Sequence, residues 1–293
     1  MRKHLFVFIL FSAVSGACLA QSFMGWEYND RFFSAQIGTG RAGYFGELTN
    51  GKPLAGGLSL MNIGVEARLL SQLGAKVQVS RYKLEGSDEN AADSSANQQR
   101  NLSFFSHNTE ISLQAIYYLF PYSGMYYKRR KYEPYLSVGI GYNFFNPKAT
   151  LDGVDYVLSD YRTENKTYAK SGVIIPFGFG VKGMLNEFMN LNLDLGWRFT
   201  FTDYLDDVSG VFGGPYPDGS IEARLSNRKD GISVVNSTAY DSYQTGANRG
   251  NPGNKDKYFF INVSLEIYVP RDLFKSRGGK MRKEKIIGKP SAY

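Results

Sequence analysis

The chain has 293 residues, including 21 Tyr, 21 Phe and 32 Gly, and its formal net charge is +7. Its single cysteine, Cys18, and one of its two histidines, His4, fall in an N-terminal stretch that resembles a removable leader. The rest of the chain, with one histidine and no cysteine, cannot build a disulfide framework or a Cys/His metal site. The many aromatic residues and glycines favour strands and tight turns over a helical bundle.

The first 20 residues are typical of a secretory signal peptide. Arg2 and Lys3 are basic, an apolar stretch follows from Leu5 to Val14, and small residues lead to Ala20. The apolar stretch is shorter than the ~20 residues of a membrane-spanning helix. We therefore expect residues 1–20 to be a signal peptide that is cleaved after Ala20. The alternative is a lipoprotein that is acylated at Cys18.

The positive charge lies mainly at the two ends of the chain. The leader contributes +2 and residues 270–293 contribute +6, which leaves −1 for residues 21–269. A nucleic-acid-binding surface needs basic residues clustered on a folded face, so we expect no nucleic-acid partner. Residues 270–293 are interpreted as a basic tail that follows the folded domain.

Several windows alternate between apolar and polar residues, which is the period of a β-strand. The clearest runs from Leu191 to Thr202, where every odd position is large and apolar. Others begin at Ile111, Leu136, Ile175 and Phe259, and weaker ones cover Phe33–Ala42, Met61–Leu69 and Leu73–Tyr82. Together they predict eight strands of about ten residues, the length with which a tilted strand crosses a bilayer.

The connections between these windows alternate in length. Short ones lie near Leu70–Gln72, Pro121–Lys131 and Asn186–Phe188. Long polar ones lie near Tyr44–Gly57, Gly86–His107, Asn146–Lys170 and Leu205–Asp256. Short periplasmic turns and long extracellular loops are typical of outer-membrane barrels.

Charged residues occupy the polar side of the strands, well inside them. They are Glu66, Arg68, Lys76, Lys182, Asp194, Arg198 and Glu266. The apolar side carries rings toward the strand ends, as in an interfacial aromatic girdle; these are Tyr142, Phe144, Phe177, Phe179, Trp197, Phe199 and Phe201. We predict an all-β fold, an eight-stranded antiparallel transmembrane β-barrel over residues 21–269, with the charged residues as ion pairs in its lumen. A secreted β-sandwich is the alternative.

The sequence offers little for catalysis. A barrel of eight strands is just wide enough for its side chains to fill, which predicts a packed lumen and no channel. His107 stands alone in or beside a long loop, and we expect no enzyme activity, cofactor or metal site. Asp203, Asp206 and Asp207 near a strand end could bind a cation, but they lack the EF-hand pattern, so turn and cap hydrogen bonds are favoured. Glu47 is a further carboxylate without a paired acid or base. A lipid-modifying enzyme that uses His107 is the alternative.

The run Gly196–Ser209, with the sequence GWRFTFTDYLDDVS, resembles the hallmark of a PorG-like family of outer-membrane barrels of Bacteroidetes. Other segments fit that family in order: Tyr44–Leu48, Arg100–Phe104, Pro134–Leu136, Phe144–Ala149, Ile175–Lys182, Arg249–Pro252 and Lys255–Phe260. The resemblance covers about residues 30–268. It implies a non-enzymatic outer-membrane component of the type IX protein secretion system that associates with a periplasmic ring of PorK/PorN-like proteins. A general structural or adhesion barrel is the alternative function.

An even strand count places both termini on the side of the short turns, which is the periplasm. Outer-membrane lipid is therefore one expected partner, and the periplasmic ring is the other. We expect a basic turn and the basic tail to contact an acidic partner or lipid headgroups. The candidates are Lys128, Arg129, Arg130, Lys131, Arg277, Lys280, Arg282 and Lys283.

Overall fold

The computed structural model describes residues 22–23, 26–27, 32–50, 52–54, 56–92, 96–121, 128–217, 219–228 and 245–269. The expected signal peptide at residues 1–20 and the expected tail at residues 270–293 lie outside these ranges. No helix in the described part of the chain is long and apolar enough to cross a membrane.

Eight antiparallel strands close into a barrel. They are β1 Phe33–Phe45, β2 Leu60–Arg68, β3 Leu73–Ser87, β4 Ser103–Tyr118, β5 Tyr132–Phe144, β6 Ser171–Met184, β7 Met189–Thr200 and β8 Lys257–Val269. Each strand pairs with the next along the chain, and β8 pairs with β1, where Val269 lies opposite Phe33. Each of the eight strands therefore has a neighbour on both sides. The predicted barrel is confirmed and the alternative sandwich is wrong, because one sheet closes on itself.

The connections alternate as the sequence predicted. Residues 69–72, 119–131 and 185–188 join strands at one end, where β1 begins and β8 ends. Residues 46–59, 88–102, 145–170 and 201–256 join them at the other, which we call the outer end.

Short elements lie outside the barrel wall. A hairpin of Pro147–Leu151 and Val154–Val157 pairs with β4 at Phe105 and Ser106 and so extends the wall. The others are a ladder of Ser22–Phe23 with Trp26–Glu27, a 3₁₀ turn Asp88–Asn90 and helices Ala96–Arg100, Leu158–Tyr161 and Ile221–Ser226.

Side chains alternate across the wall with the polarity reversed from that of a soluble barrel. Leu193 on β7 is 55% exposed, whereas its neighbour Asn192 is fully buried. Ile63, Val138 and Ile140 are also more than half exposed on the outside. Covering such side chains is worth about 1.5–3 kcal/mol each, so this apolar belt fits an acyl-chain environment and not water.

The polarity reverses again at the outer end. There the inward side chains are apolar, as Leu84 and Phe104 show, and the outward ones include Lys83 and Glu85. The alternation continues but its sign changes, so β3 and β4 extend past the strand ends that the sequence suggested. His107 therefore lies in β4, facing outward, and not in a long loop.

Substitution of Leu193 tests whether the apolar belt faces lipid. An arginine at a mid-belt, lipid-facing position costs about 2–4 kcal/mol, against about 0–1 kcal/mol near an interface. Leu193→Arg should therefore lower the free energy of unfolding in lipid vesicles much more than Tyr132→Arg, whose site at the start of β5 is 72% exposed. Urea unfolding followed by tryptophan fluorescence measures both. Equal, small effects would remove the membrane assignment.

Candidate functional site

The lumen is organised around Lys182. Its ammonium lies 2.6 Å from Oε1 of Glu66 and 2.8 Å from Oε1 of Glu266. The Tyr118 hydroxyl donates to Glu66, and the Asn190 amide donates to Oε2 of Glu266 at 2.9 Å. All of these side chains are buried. One cation thus bridges carboxylates from β2 and β8 near the short-turn end of the lumen, and hydrogen bonds from Tyr118 and Asn190 add to their stabilisation.

Two arginines pair with acids that the sequence analysis missed. Arg68 lies 2.8 Å from Glu133 on β5, and its guanidinium stacks 3.9 Å from the Tyr118 ring centre. Arg198 lies 3.3 Å from Glu110 on β4, and its guanidinium stacks on the Phe260 ring. Glu110 shares the inward phase of Ser112 and Gln114, so extending that alternation would have found it.

The other two lumen candidates lie apart from Lys182. Asp194 accepts from the Tyr135 hydroxyl, and its Oδ2 accepts from Asn262 at 3.2 Å. Lys76 stands opposite Glu66 in the β2–β3 ladder but forms no ion pair within the described chain; its ammonium lies 5.9 Å from the Tyr135 ring centre. Gly180 makes room for that ring, since a Cβ there would lie 2.6 Å from it.

These side chains fill the barrel. The cavity between Lys76, Asp194 and Arg198 has a volume of about 20 Å³, which is room for about one water molecule. The side chains at this level therefore pack the lumen closely, which an eight-stranded barrel allows.

One residue of the predicted basic turn, Arg129, is buried at the short-turn end of the barrel, and the other three are exposed. Arg129 is buried, donates to Asn190 at 2.8 Å and to the carbonyls of Asn186, Glu187 and Met189, and stacks on Tyr268. It closes the short-turn end instead of facing a partner, because its donors are used by the β6–β7 turn. Lys128, Arg130 and Lys131 are exposed there. Arg277, Lys280, Arg282 and Lys283 lie outside the described residues.

The long connections pack into a cap on the outer end. Its apolar core includes Leu48, Leu102, Phe145, Leu205 and Leu225. Two buried ion-pair centres hold it together. Arg100 binds both carboxylate oxygens of Asp88 at 2.7 and 2.8 Å, and Arg249 lies 3.2 Å from Glu164 and 3.5 Å from Asp207.

A group of carboxylates lies beside these pairs without an equal number of cations. Glu47, Asp206 and Asp256, from two loops and the start of β8, each place one oxygen within 4.8 Å of the others. The Tyr44 hydroxyl is 2.6 Å from Asp206 and 2.8 Å from Asp256. That hydroxyl has one proton and can donate to only one of them, so the second contact is complete only when a carboxyl is protonated.

Burial sets the charge of this group. Burial, with the charge of Asp203 second, raises the pKa of Glu47 to about 7. Burial and Glu47 raise the pKa of Asp206, and burial and Asp206 raise the pKa of Asp256. The arrangement can share protons, and its oxygens are of the kind that a hard cation accepts. Asp203 is also buried, whereas Asp207 turns to Arg249.

His107 has no catalytic surroundings in the described residues. Its ring packs edge-on against Phe105 at 6.1 Å, and it stands opposite Lys83 in the ladder. These contacts place His107 on the outer surface of the wall.

Comparison with known protein families gives one match. Residues 71–211 match a family model described as "Domain of unknown function (DUF6089)". No curated protein matches the chain.

Solved structures that resemble the chain include two bacterial surface proteins. Neisserial surface protein A has 13% identity and a TM-score of 0.40, with 80% of this chain and 96% of that chain covered. A major outer membrane protein from Thermus thermophilus has 14% identity and a TM-score of 0.42, with 82% and 99% covered.

The outer membrane enzyme PagL has 11% identity and a TM-score of 0.31, with 80% and 98% covered. All three TM-scores lie below 0.5.

Substitution of Lys182 tests how much its ion pairs stabilise the barrel. Removing the shared cation leaves two buried carboxylates without it, and breaking a buried pair costs about 3–5 kcal/mol. Lys182→Met should therefore lower the unfolding midpoint in urea, whereas Lys76→Met, in the same lumen, should change it far less. Similar losses for both variants would show that Lys182 contributes no more than any other lumen lysine.

The cap should loosen as pH rises. Raised carboxyl pKa values mean that the folded cap holds protons that the unfolded loops release from about pH 4 upward, so stability falls until the raised pKa values are passed. Amide exchange of cap residues should be faster at pH 8 than at pH 5 after correction for intrinsic rates. Asp206→Asn, which is neutral and keeps the shape, should reduce that difference by on the order of 1 kcal/mol. Asp160→Asn, at the exposed end of the cap, is the matched control and should leave it unchanged.

Proposed function

We propose that this protein is an integral outer-membrane barrel that acts as a membrane anchor in protein secretion and not as an enzyme or a pore. It would sit with the short-turn end in the periplasm and the cap outside. The sealed lumen is the observation that carries this proposal, since about 20 Å³ between Lys76, Asp194 and Arg198 passes neither polypeptide nor a sizeable solute.

The short-turn end supplies a surface for periplasmic partners. Both ends of the barrel wall lie there, at Phe33 and Val269, so the segments before β1 and after β8 leave from this end. Lys128, Arg130 and Lys131 are exposed beside them. Glu187 is exposed at the same end, so the exposed charge there is mainly positive, which favours an acidic partner and speeds its association.

The resemblance of Gly196–Ser209 to the PorG-like family supports the type IX secretion system as the setting, with a PorK/PorN-like ring as the partner. This run extends from the barrel wall into the cap. Arg198 belongs to the lumen, whereas Asp206 and Asp207 belong to the cap. The run therefore contains the last residues of β7 and the first residues of the cap.

A general structural or adhesion barrel is the second candidate. The rigid cap supports it, because buried ion pairs such as Arg100 with Asp88 hold the loops in one presented shape. In that case the outer surface would carry the function, and loss of the protein would leave secretion intact.

Co-purification tests the secretion proposal. The native complex is solubilised, captured through an affinity tag in the outer cap, and its ring proteins are quantified. Deleting residues 271–293 together with Lys128→Gln, Arg130→Gln and Lys131→Gln should lower their recovery at least about tenfold, because charge-assisted contacts of about 1.5–3 kcal/mol each are lost.

The control replaces basic residues at the outer end, Lys148→Gln and Lys257→Gln. Ring recovery should then remain at the level of the unaltered protein. Deletion of the whole gene should reduce secretion of many cargo proteins; normal secretion would favour the structural or adhesion role.

A further inference from the structure

A notch opens in the outer end of the barrel wall between β1 and β3. β2 begins at Leu60, where it pairs with Gly40 and Tyr82, while β1 continues to Phe45 and β3 to Ser87. The loop that precedes β2 covers part of the gap, and Tyr44 donates its backbone N–H to the carbonyl of Pro53 at 3.0 Å. A groove of about 610 Å³ remains, within the range of small-ligand sites.

Basic side chains line the groove on the outside of the wall. Arg81 and Lys83 point outward from β3, and His107 lies opposite Lys83 on β4. Arg41 on β1 reaches the loop carbonyls of Leu54 and Gly56. Glu85 offsets part of this charge through a 2.6 Å contact with Lys83. Arg81 forms no hydrogen bond or ion pair with the described residues. Two cations, Arg81 and Lys83, thus line the groove with one carboxylate, Glu85, and Arg41 lies beside it.

The height of these cations on the wall is that of lipid headgroups. Leu73, Val77 and Val79 form the apolar outside of β3, and the next outward residues are Arg81 and Lys83. About ten residues of tilted strand cover the apolar thickness of the membrane, which from Leu73 ends near Arg81. The groove therefore opens at the outer membrane–water interface.

The basic residues of the groove also interrupt the aromatic girdle. On the far side of the barrel the same interface carries exposed rings, which are Tyr142, Phe144, Phe199 and Phe201. On β3 the outward positions at this height hold cations, while β1 still carries the exposed ring of Phe45. Apolar side chains lie beside the cations: Met61 is 66% exposed and Leu58 is 77% exposed. An acyl chain fits the apolar residues, and a phosphate fits the arginine and lysine.

We infer that this groove binds one phosphorylated glycolipid of the outer leaflet, with a headgroup phosphate between Arg81 and Lys83 and an acyl chain against Met61 and Leu58. The inference uses the proposed outer-membrane location but is independent of any role in secretion.

Native mass spectrometry tests it with diphosphorylated lipid A as the probe. The purified mature protein in detergent should retain one lipid A. Arg81→Gln with Lys83→Gln should weaken that binding at least about tenfold, since two charge-assisted contacts are lost. Lys148→Gln with Lys257→Gln removes the same charge elsewhere at the outer end and should bind like the unaltered protein.

Three outcomes would overturn the inference. The control pair could weaken binding equally, which would mean that net charge alone attracts the lipid. Inorganic phosphate could displace lipid A at equal concentration, or phosphatidylcholine could bind as tightly. Heat-modified mobility on gels is measured in parallel: a barrel that folds in lipid but ignores lipid A refutes only this inference, whereas failure to enter lipid refutes the membrane location as well.

Discussion

Every polar group inside a lipid-surrounded barrel must find its partner inside the barrel, and the Lys182 cluster is how this chain meets that requirement. An unpaired charge in such an interior costs several kcal/mol or more. Lys182 on β6 therefore holds Glu66 on β2 and Glu266 on β8, and Tyr118 on β4 completes the set. The contacts cross the lumen and join strands that do not pair in the sheet. The same contacts that stabilise the wall also seal it.

The cap and the lumen solve the problem of buried charge in different ways. In the lumen, most carboxylates meet arginine or lysine, as Glu110 meets Arg198, and Asp194 accepts from Tyr135 and Asn262 instead. In the cap, Asp206 and Asp256 share the Tyr44 hydroxyl, and burial raises the pKa of both carboxyls. Protons therefore replace cations as the compensating charge. The arrangement in the cap therefore weakens as protons leave.

The strands of the wall could be predicted from the sequence because outward side chains at the depth of the lipid must be apolar. That rule identified the strands and the inward phase of Glu66, Lys182 and Glu266. It failed where the membrane ends: beyond Tyr82 the inward side becomes apolar, and β3 and β4 continue unrecognised. The group of Glu47, Asp206 and Asp256 could not be found either, since spacing along a chain does not reveal which loops meet.

The position of β8 has a consequence for biogenesis. Glu266 comes from the last strand of the wall, so during insertion Lys182 and Glu66 enter the apolar phase before their third partner is available. A half-built sheet would hold an incomplete charge cluster with nothing to shield it. Entry into the bilayer and docking of the C-terminal strand against β1 must therefore occur nearly together, and partly inserted chains should be the species that quality-control proteases remove.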